Sequence, residues 1–154
     1  MKPLVSILIS AYNAEKWIGY TLQSAVSQTW PRTEVVVVDD GSTDRTGEIA
    51  RSFASHKLKV ISTKNGGLSA GLNVAYRECQ GEYLQFLDAD DLLAPDKIER
   101  QLLAIREGDG RRILLSSPWA PFFYRTRDAR FIRNSLCEDL SPVEWMLRDR
   151  KSVV

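Results

Sequence analysis

Histidine occurs once in this 154-residue chain and cysteine twice, and neither clusters with other metal-binding residue types. His56 has no ligand-type partner nearby in sequence, so an imidazole-based metal centre loses support and a surface role is expected. Cys79 and Cys137 lie far apart and outside any C-x-x-C, which predicts free thiols in a reducing cytosol. No apolar run approaches the ~18 residues of a membrane span. The opening "MKPLVSILIS" has one lysine and a short apolar run without a cleavage-like site, and predicts a strand rather than a leader. Charge of one sign is also missing. Lys plus Arg number 21 against 20 for Asp plus Glu, so no global field draws the chain to nucleic acid or an anionic membrane. Neither G-x-G-x-x-G nor G-x-x-x-x-G-K-[ST] occurs, which weakens dinucleotide and P-loop readings. What remains is a chain with 44% hydrophobic residues, enough for one domain with a real core and hardly for two.

The apolar segments that are present alternate in period. "LVSILIS" (Leu4–Ser10), "EVVVVDD" (Glu34–Asp40), "LKVIST" (Leu58–Thr63) and "YLQFL" (Tyr83–Leu87) are short runs that read as strands. Between them, Ala14, Trp17, Ile18, Thr21, Leu22, Ala25 and Val26 recur in steps of three and four, one stripe of an amphipathic helix. Further helices are expected over about Asp44–Ala54 and Leu68–Arg77. Another carries Ile98, Leu102 and Ile105, with Pro95 in its first turn. "RILLSS" (Arg112–Ser117) offers a fifth strand. This alternation predicts an α/β fold with a mostly parallel sheet flanked by helices.

Right-handed crossovers put every strand's carboxyl end on one edge, where open α/β sheets bind ligands. The residues that follow the strands are Ser10, Tyr12 and Asn13; Asp39 and Asp40; Lys64, Asn65, Gly66 and Gly67; and Asp88, Asp90 and Asp91. Carboxylates so crowded repel each other by ~1–4 kcal/mol per pair at 4 Å, depending on exposure. They call for a cation, a raised pKa or full exposure to solvent. In an extended segment, Asp88 and Asp90 would point the same way across Ala89 and could share a hard cation such as Mg²⁺ or Mn²⁺. The bland alternative is a solvated acidic turn that caps the next helix. For Asp39 and Asp40, one carboxylate could cap the helix after "GSTD" while the other faces the cleft and accepts from a base N–H or sugar hydroxyl. In "KNGG", glycine amides beside Lys64 could approach an anion, or the segment could be a plain loop.

The chain changes character after residue 116, so 1–116 reads as an α/β domain and 117–154 as an irregular segment and the start of a helix. Periodicity is lost over Pro118–Arg133, where Arg125, Arg127, Arg130 and Arg133 could hold phosphate or form a solvated loop. Ser141, Pro142 and Glu144 form a capping box that opens a helix close to the last residue, which predicts a C-terminally incomplete fold. Apolar surface left by such a loss could drive homodimerisation.

Together, "VSILISAYN" (Val5–Asn13), "VVVVDDGSTDRT" (Val35–Thr46), "NGGLSAGLNVAY" (Asn65–Tyr76) and "FLDADD" (Phe86–Asp91) resemble the family 2 glycosyltransferases, over roughly two thirds of the chain. The resemblance implies a Rossmann-like GT-A fold and a metal-dependent, inverting transferase, with 1–116 as its nucleotide-sugar-binding domain and 117–154 as the beginning of its acceptor-side region. The donor would be a nucleotide-diphosphate sugar, a UDP-sugar by preference, and the cofactor Mn or Mg. The acceptor would be a glycan or lipid-linked hydroxyl. Ser10, Tyr12 and Asp40 would hold the base, with Asn13 and Asp39 nearby; Asp88 would serve the ribose and metal, and Asp90 the metal directly. Lys64, Gly66, Gly67 and Ala89 complete the expected donor site. Localisation is expected to be cytoplasmic or peripheral at the inner face of the membrane. Two departures stand out. Leu72 occupies a position where the family often has Arg, and the family's acidic base lies well downstream of the D-x-D. Glu138 and Asp139 in "CEDL" superficially resemble it, but they come early and directly precede Ser141, so a helix-entry role is preferred and the base is expected to lie outside this chain. A non-catalytic remnant that binds nucleotide or a partner is the alternative. A response-regulator receiver fits poorly, because its acidic pair follows the first strand and it needs a lysine where none stands between Lys97 and Lys151.

Overall fold

The structure, a computed structural model, describes residues 2–105. The candidate fifth strand at Arg112–Ser117, the arginines from Arg125 to Arg133, Cys137, Glu138, Asp139 and the helix at Ser141 lie outside the described residues. Four strands alternate with helices in chain order: β1 (Val5–Ala11), α1 (Ile18–Val26), β2 (Thr33–Asp40), α2 (Thr46–Ser52), β3 (Leu58–Thr63), α3 (Leu68–Glu78), β4 (Tyr83–Phe86) and α4 (Lys97–Leu103). The strands form one sheet in the order β3-β2-β1-β4. Every pairing is parallel, with Ile7 beside Val35, Val37 beside Val60 and Leu8 beside Phe86. The unit that contains the sheet ends at Glu99.

The composition of each strand follows its place in the sheet. β1 and β2 are central and covered on both faces, so β1 is buried throughout and β2 nearly so, and neither alternates apolar with polar. On one face Leu8, Val36, Val38 and Ala75 make a cluster against which Ile61, Leu72 and Val74 pack. On the other, α1 and α2 lie over β2, with Ile18, Leu22, Ala25 and Ala50 fully buried. Full burial of each Val, Leu or Ile is worth ~1.5–3 kcal/mol, which makes these two strands the stabilising centre of the unit.

Two expectations, for Trp17 and Pro95, need correction, and β4 differs from the central strands. Trp17, placed on the buried stripe of α1, is 51% exposed, because the helix begins one residue later and Trp17 occupies its N-cap. β4 is only half covered: Leu84 and Phe86 share the face of Ser6 and Leu8, but α3 lies over β1 and β2 and leaves them exposed. Pro95 stands before α4 rather than in its first turn, since the helix starts at Lys97.

Candidate active site

All four strands deliver their following loops to one edge, as parallel pairing requires. Strand order reverses direction between β1 and β4, and in open α/β sheets the crevice at such a reversal receives ligands. The loops there are tied to one another by side chains. Asn13, at φ 49°, is the one described non-glycine residue with positive φ. Its Oδ1 accepts the Thr43 amide at 2.8 Å, and its own amide donates to Ser42 Oγ at 3.1 Å. The Ala14 amide donates to Thr46 Oγ1 at 2.7 Å and the Glu15 amide to Asp44 Oδ2 at 3.1 Å. The loops after β1 and β2 therefore form one layer. Burial pushes the Asp44 carboxyl up, but hydrogen bonds from the Thr46 hydroxyl and from the Thr46 and Glu15 amides outweigh it, and its pKa lies below the usual value.

Asp39 and Asp40 point to opposite faces of β2 and have different partners. Asp39 Oδ1 accepts the Ser42 amide at 3.1 Å and shapes the turn. Its other oxygen fills the space where a Cβ on Gly47 would sit, 2.1 Å away, so only glycine fits in α2 there. Asp40 is 2% exposed. Its Oδ1 accepts the Gly66 amide at 2.9 Å and the Thr63 hydroxyl at 3.2 Å, and its Oδ2 accepts the Gly67 amide at 2.7 Å. The anion held by the glycine amides of "KNGG" is thus this chain's own carboxylate. Lys64 is exposed beside them. Ser10 is buried, and its hydroxyl lies 2.1 Å from where a Cβ on Gly71 would be, so α3 approaches β1 backbone-first at that point. Tyr12 is half exposed at the rim.

The acidic segment differs from its expected shape. Asp88–Asp91 is a turn closed by the Asp91 amide donating to the Asp88 carbonyl at 3.1 Å, not an extended segment, so strand alternation does not orient its carboxylates. All three aspartates are exposed residues. Burial of the carboxyl, followed by the negative charges of Asp88 and Asp90, raises the pKa of Asp91. Among the described residues no set of three or more His, Cys, Asp or Glu is placed to hold a metal. Two accessible carboxylates nevertheless fit a Mg²⁺ or Mn²⁺ ion, which keeps most of its positions for water and phosphate oxygens.

Sequence reasoning missed the side chains that hold this turn. Thr21 Oγ1 donates to the Ala89 carbonyl at 2.9 Å, Ser24 Oγ accepts the Leu93 amide at 3.1 Å, and Gln28 Nε2 donates to the Ala94 carbonyl at 2.9 Å. A threonine on a stripe of small residues reads as packing, and only the recurrence of polar residues at 21, 24 and 28 carried a signal. A groove of about 330 Å³ between α1 and α2, lined by Tyr20, Gln23, Ile49 and Phe53, belongs to the outer helical layer and not to this edge.

Residues 6–137 match the Glycosyl transferase family 2 profile, and the chain belongs to that family. It is 37% identical over 113 residues to an uncharacterized glycosyltransferase of Rickettsia typhi, covering 73% of this chain and 35% of that protein. It is 46% identical over 99 residues to the chondroitin synthase of Escherichia coli, covering 63% of this chain and 14% of the synthase. Among solved structures it resembles S. aureus TarS 1–349 in complex with UDP-GlcNAc, with a TM-score of 0.62 and 35% identity over 65% of this chain and 30% of that one. The Pyrobaculum calidifontis mannosyltransferase PcManGT in complex with GDP-Man and Mn²⁺ gives a TM-score of 0.63 and 33% identity, covering 68% of this chain and 33% of that one. The parallel sheet with flanking helices is that of the GT-A glycosyltransferases. The chain spans roughly a third of the length of the first of these relatives and a seventh of the second.

Proposed function

We propose that this chain forms the donor side of a glycosyltransferase that moves a sugar from a nucleotide-diphosphate sugar to an acceptor hydroxyl, with inversion at the anomeric carbon. The observation that carries this reading is the gathering of four loops at one sheet edge, with the Asp88–Asp91 turn flanking the β1–β4 reversal. The complexes of TarS with UDP-GlcNAc and of PcManGT with GDP-Man and Mn²⁺ support it by analogy. In this reading Ser10, Tyr12 and Asn13 line the base pocket, and Asp39 and Asp40 hold its walls. Gly66 and Gly67 bring α3 close, Lys64 faces the diphosphate, and Asp88, Ala89 and Asp90 bound the ribose and metal subsite. A divalent cation bound by Asp88 and Asp90 would neutralise charge on the leaving diphosphate as a Lewis acid. A general base must deprotonate the acceptor hydroxyl for in-line attack. The base is expected outside this chain; Glu138 and Asp139, the weaker candidates within it, lie outside the described residues. The acceptor is a glycan or lipid-linked hydroxyl, reached from the cytoplasmic side; no described helix is long and apolar enough to cross a membrane.

The test is calorimetric titration of the purified chain with UDP, GDP and dTDP, each with Mn²⁺ and again with EDTA. Metal-dependent binding of one nucleotide, UDP by preference, is expected. No binding of any nucleotide by a chain that circular dichroism shows to be folded would refute the donor-site reading.

A further inference from the structure

We infer that the polar stripe of α1, centred on Thr21, positions the Asp88–Asp91 turn so that its carboxylates can share one cation. This rests on the reading of Asp88 and Asp90 as the cation-holding pair. The ten residues between β4 and α4 belong to no helix or strand, so their backbone groups need partners from elsewhere. One face of α1 and Gln28, two residues past its end, supply them. Thr21 is fully buried, and its hydroxyl chooses between the Trp17 carbonyl at 3.4 Å and the Ala89 carbonyl at 2.9 Å. The shorter contact lies in the ordinary hydrogen-bond range and the longer one beyond it. Ser24 donates to the Thr21 carbonyl at 2.8 Å, which leaves its oxygen free to accept from Leu93. Gln28 closes the set with the Ala94 carbonyl and, more weakly, the Ile98 amide at 3.4 Å.

Residues three apart on a helix share a face, so Thr21 and Ser24 present their hydroxyls to the segment together, and Gln28, beyond the helix, adds its amide to the same segment. The Thr21 bond has a particular consequence. The Ala89 carbonyl belongs to the peptide plane between Ala89 and Asp90. Fixing that plane fixes the direction in which Asp90 leaves the chain, and through the Ala89 Cα that of Asp88. Thr21 is the buried part of the hold that α1 gives this turn.

The experiment uses the full 154-residue chain as Thr21→Val, which keeps the shape and removes the donor, and as Thr21→Ser, which restores it. Amide hydrogen exchange over residues 88–93, with EDTA present, reads the hold directly. Mn²⁺ titration followed by the paramagnetic signal of the free ion reads its use. Thr21→Val is expected to exchange at least tenfold faster in this segment alone and to bind Mn²⁺ threefold to tenfold more weakly, and Thr21→Ser to recover both. Unchanged exchange in folded Thr21→Val would overturn the inference, as would faster exchange with unaltered Mn²⁺ affinity. If Thr21→Val fails to fold, Ser24→Ala is judged by the same two readouts. Equal Mn²⁺ binding by wild type and Asp90→Asn is a separate outcome, visible without any Thr21 variant. It would refute the cation reading and, with it, the use assigned to the hold.

Discussion

Asp40 Oδ2 accepts the amide of Gly67 at 2.7 Å, which closes the loop after β3 onto the end of β2. Gly67 makes this contact at φ 85°, a left-handed conformation that a Cβ would strain, just before α3 begins. With the Gly66 amide on the other oxygen, Asp40 sets where α3 starts. Since Gly71 on that helix meets Ser10, a buried carboxylate on β2 governs the contact between α3 and β1.

Removing that acceptor leaves two loop amides without their partner. Asp40→Asn keeps one oxygen but turns an NH₂ group toward the other amide, so it is expected to behave almost as badly as Asp40→Ala. Each should lower stability by ~1–3 kcal/mol, read as an earlier urea midpoint with the slope unchanged. Nucleotide affinity should fall with it. A midpoint equal to wild type would show that the loop does not depend on Asp40.

The sheet was legible because its signals are local. Runs such as "EVVVVDD" cannot be amphipathic helices of that length, and Gly or Asn follows the ends of β1, β2 and β3. That the loops share one edge followed from parallel pairing alone. What escaped depends on contacts between distant residues. Asp40 reads as a ligand group until Gly66 and Gly67 fold back onto it, 26 and 27 residues away. Thr21 reads as helix packing until Ala89 arrives from 68 residues on. The D-x-D spacing suggested strand alternation, and the Asp91 amide, bonded back to the Asp88 carbonyl, replaced it with a turn.

Gly71→Ala tests the close approach of α3 to β1. The new Cβ would lie 2.1 Å from Ser10 Oγ and 2.9 Å from Ser10 Cβ, and neither atom can retreat within a paired central strand. Overpacking of this kind costs ~1–3 kcal/mol. Ser10→Ala in the same chain removes the nearer atom and should recover part of the loss. A double-mutant cycle with no coupling between the two sites would contradict this geometry.

Lys97 provides a test by pH. Burial lowers its pKa to about 8, and its ammonium donates to Gln85 Oε1 on β4. A lysine with a depressed folded pKa binds its proton more readily when unfolded, so the folded state gains stability as pH rises from about 8 toward the ordinary lysine value of 10.5. Allowing for solvent screening, the gain is on the order of 1 kcal/mol. Thermal midpoints of wild type and Lys97→Met, compared between pH 7 and pH 10, should converge in favour of wild type at the alkaline end. A constant difference would show that Lys97 titrates as an ordinary exposed lysine.

Asp90 and Asp91 should respond in opposite ways to substitution. Asp90→Asn removes half of the proposed cation pair, so Mn²⁺-dependent nucleotide binding should weaken at least tenfold, while the EDTA-treated chain melts no earlier than wild type. Burial first, and then the charges of Asp88 and Asp90, raise the pKa of Asp91, so Asp91→Asn removes an unfavourable charge from the metal-free turn. The gain is small for an exposed group, at most about 0.5 kcal/mol, and it should vanish once Mn²⁺ compensates Asp88 and Asp90. Parallel melting curves with EDTA and with saturating Mn²⁺ separate the two variants. If Asp91→Asn loses Mn²⁺ binding as fully as Asp90→Asn, the cation is held by the whole turn rather than by the D-x-D pair.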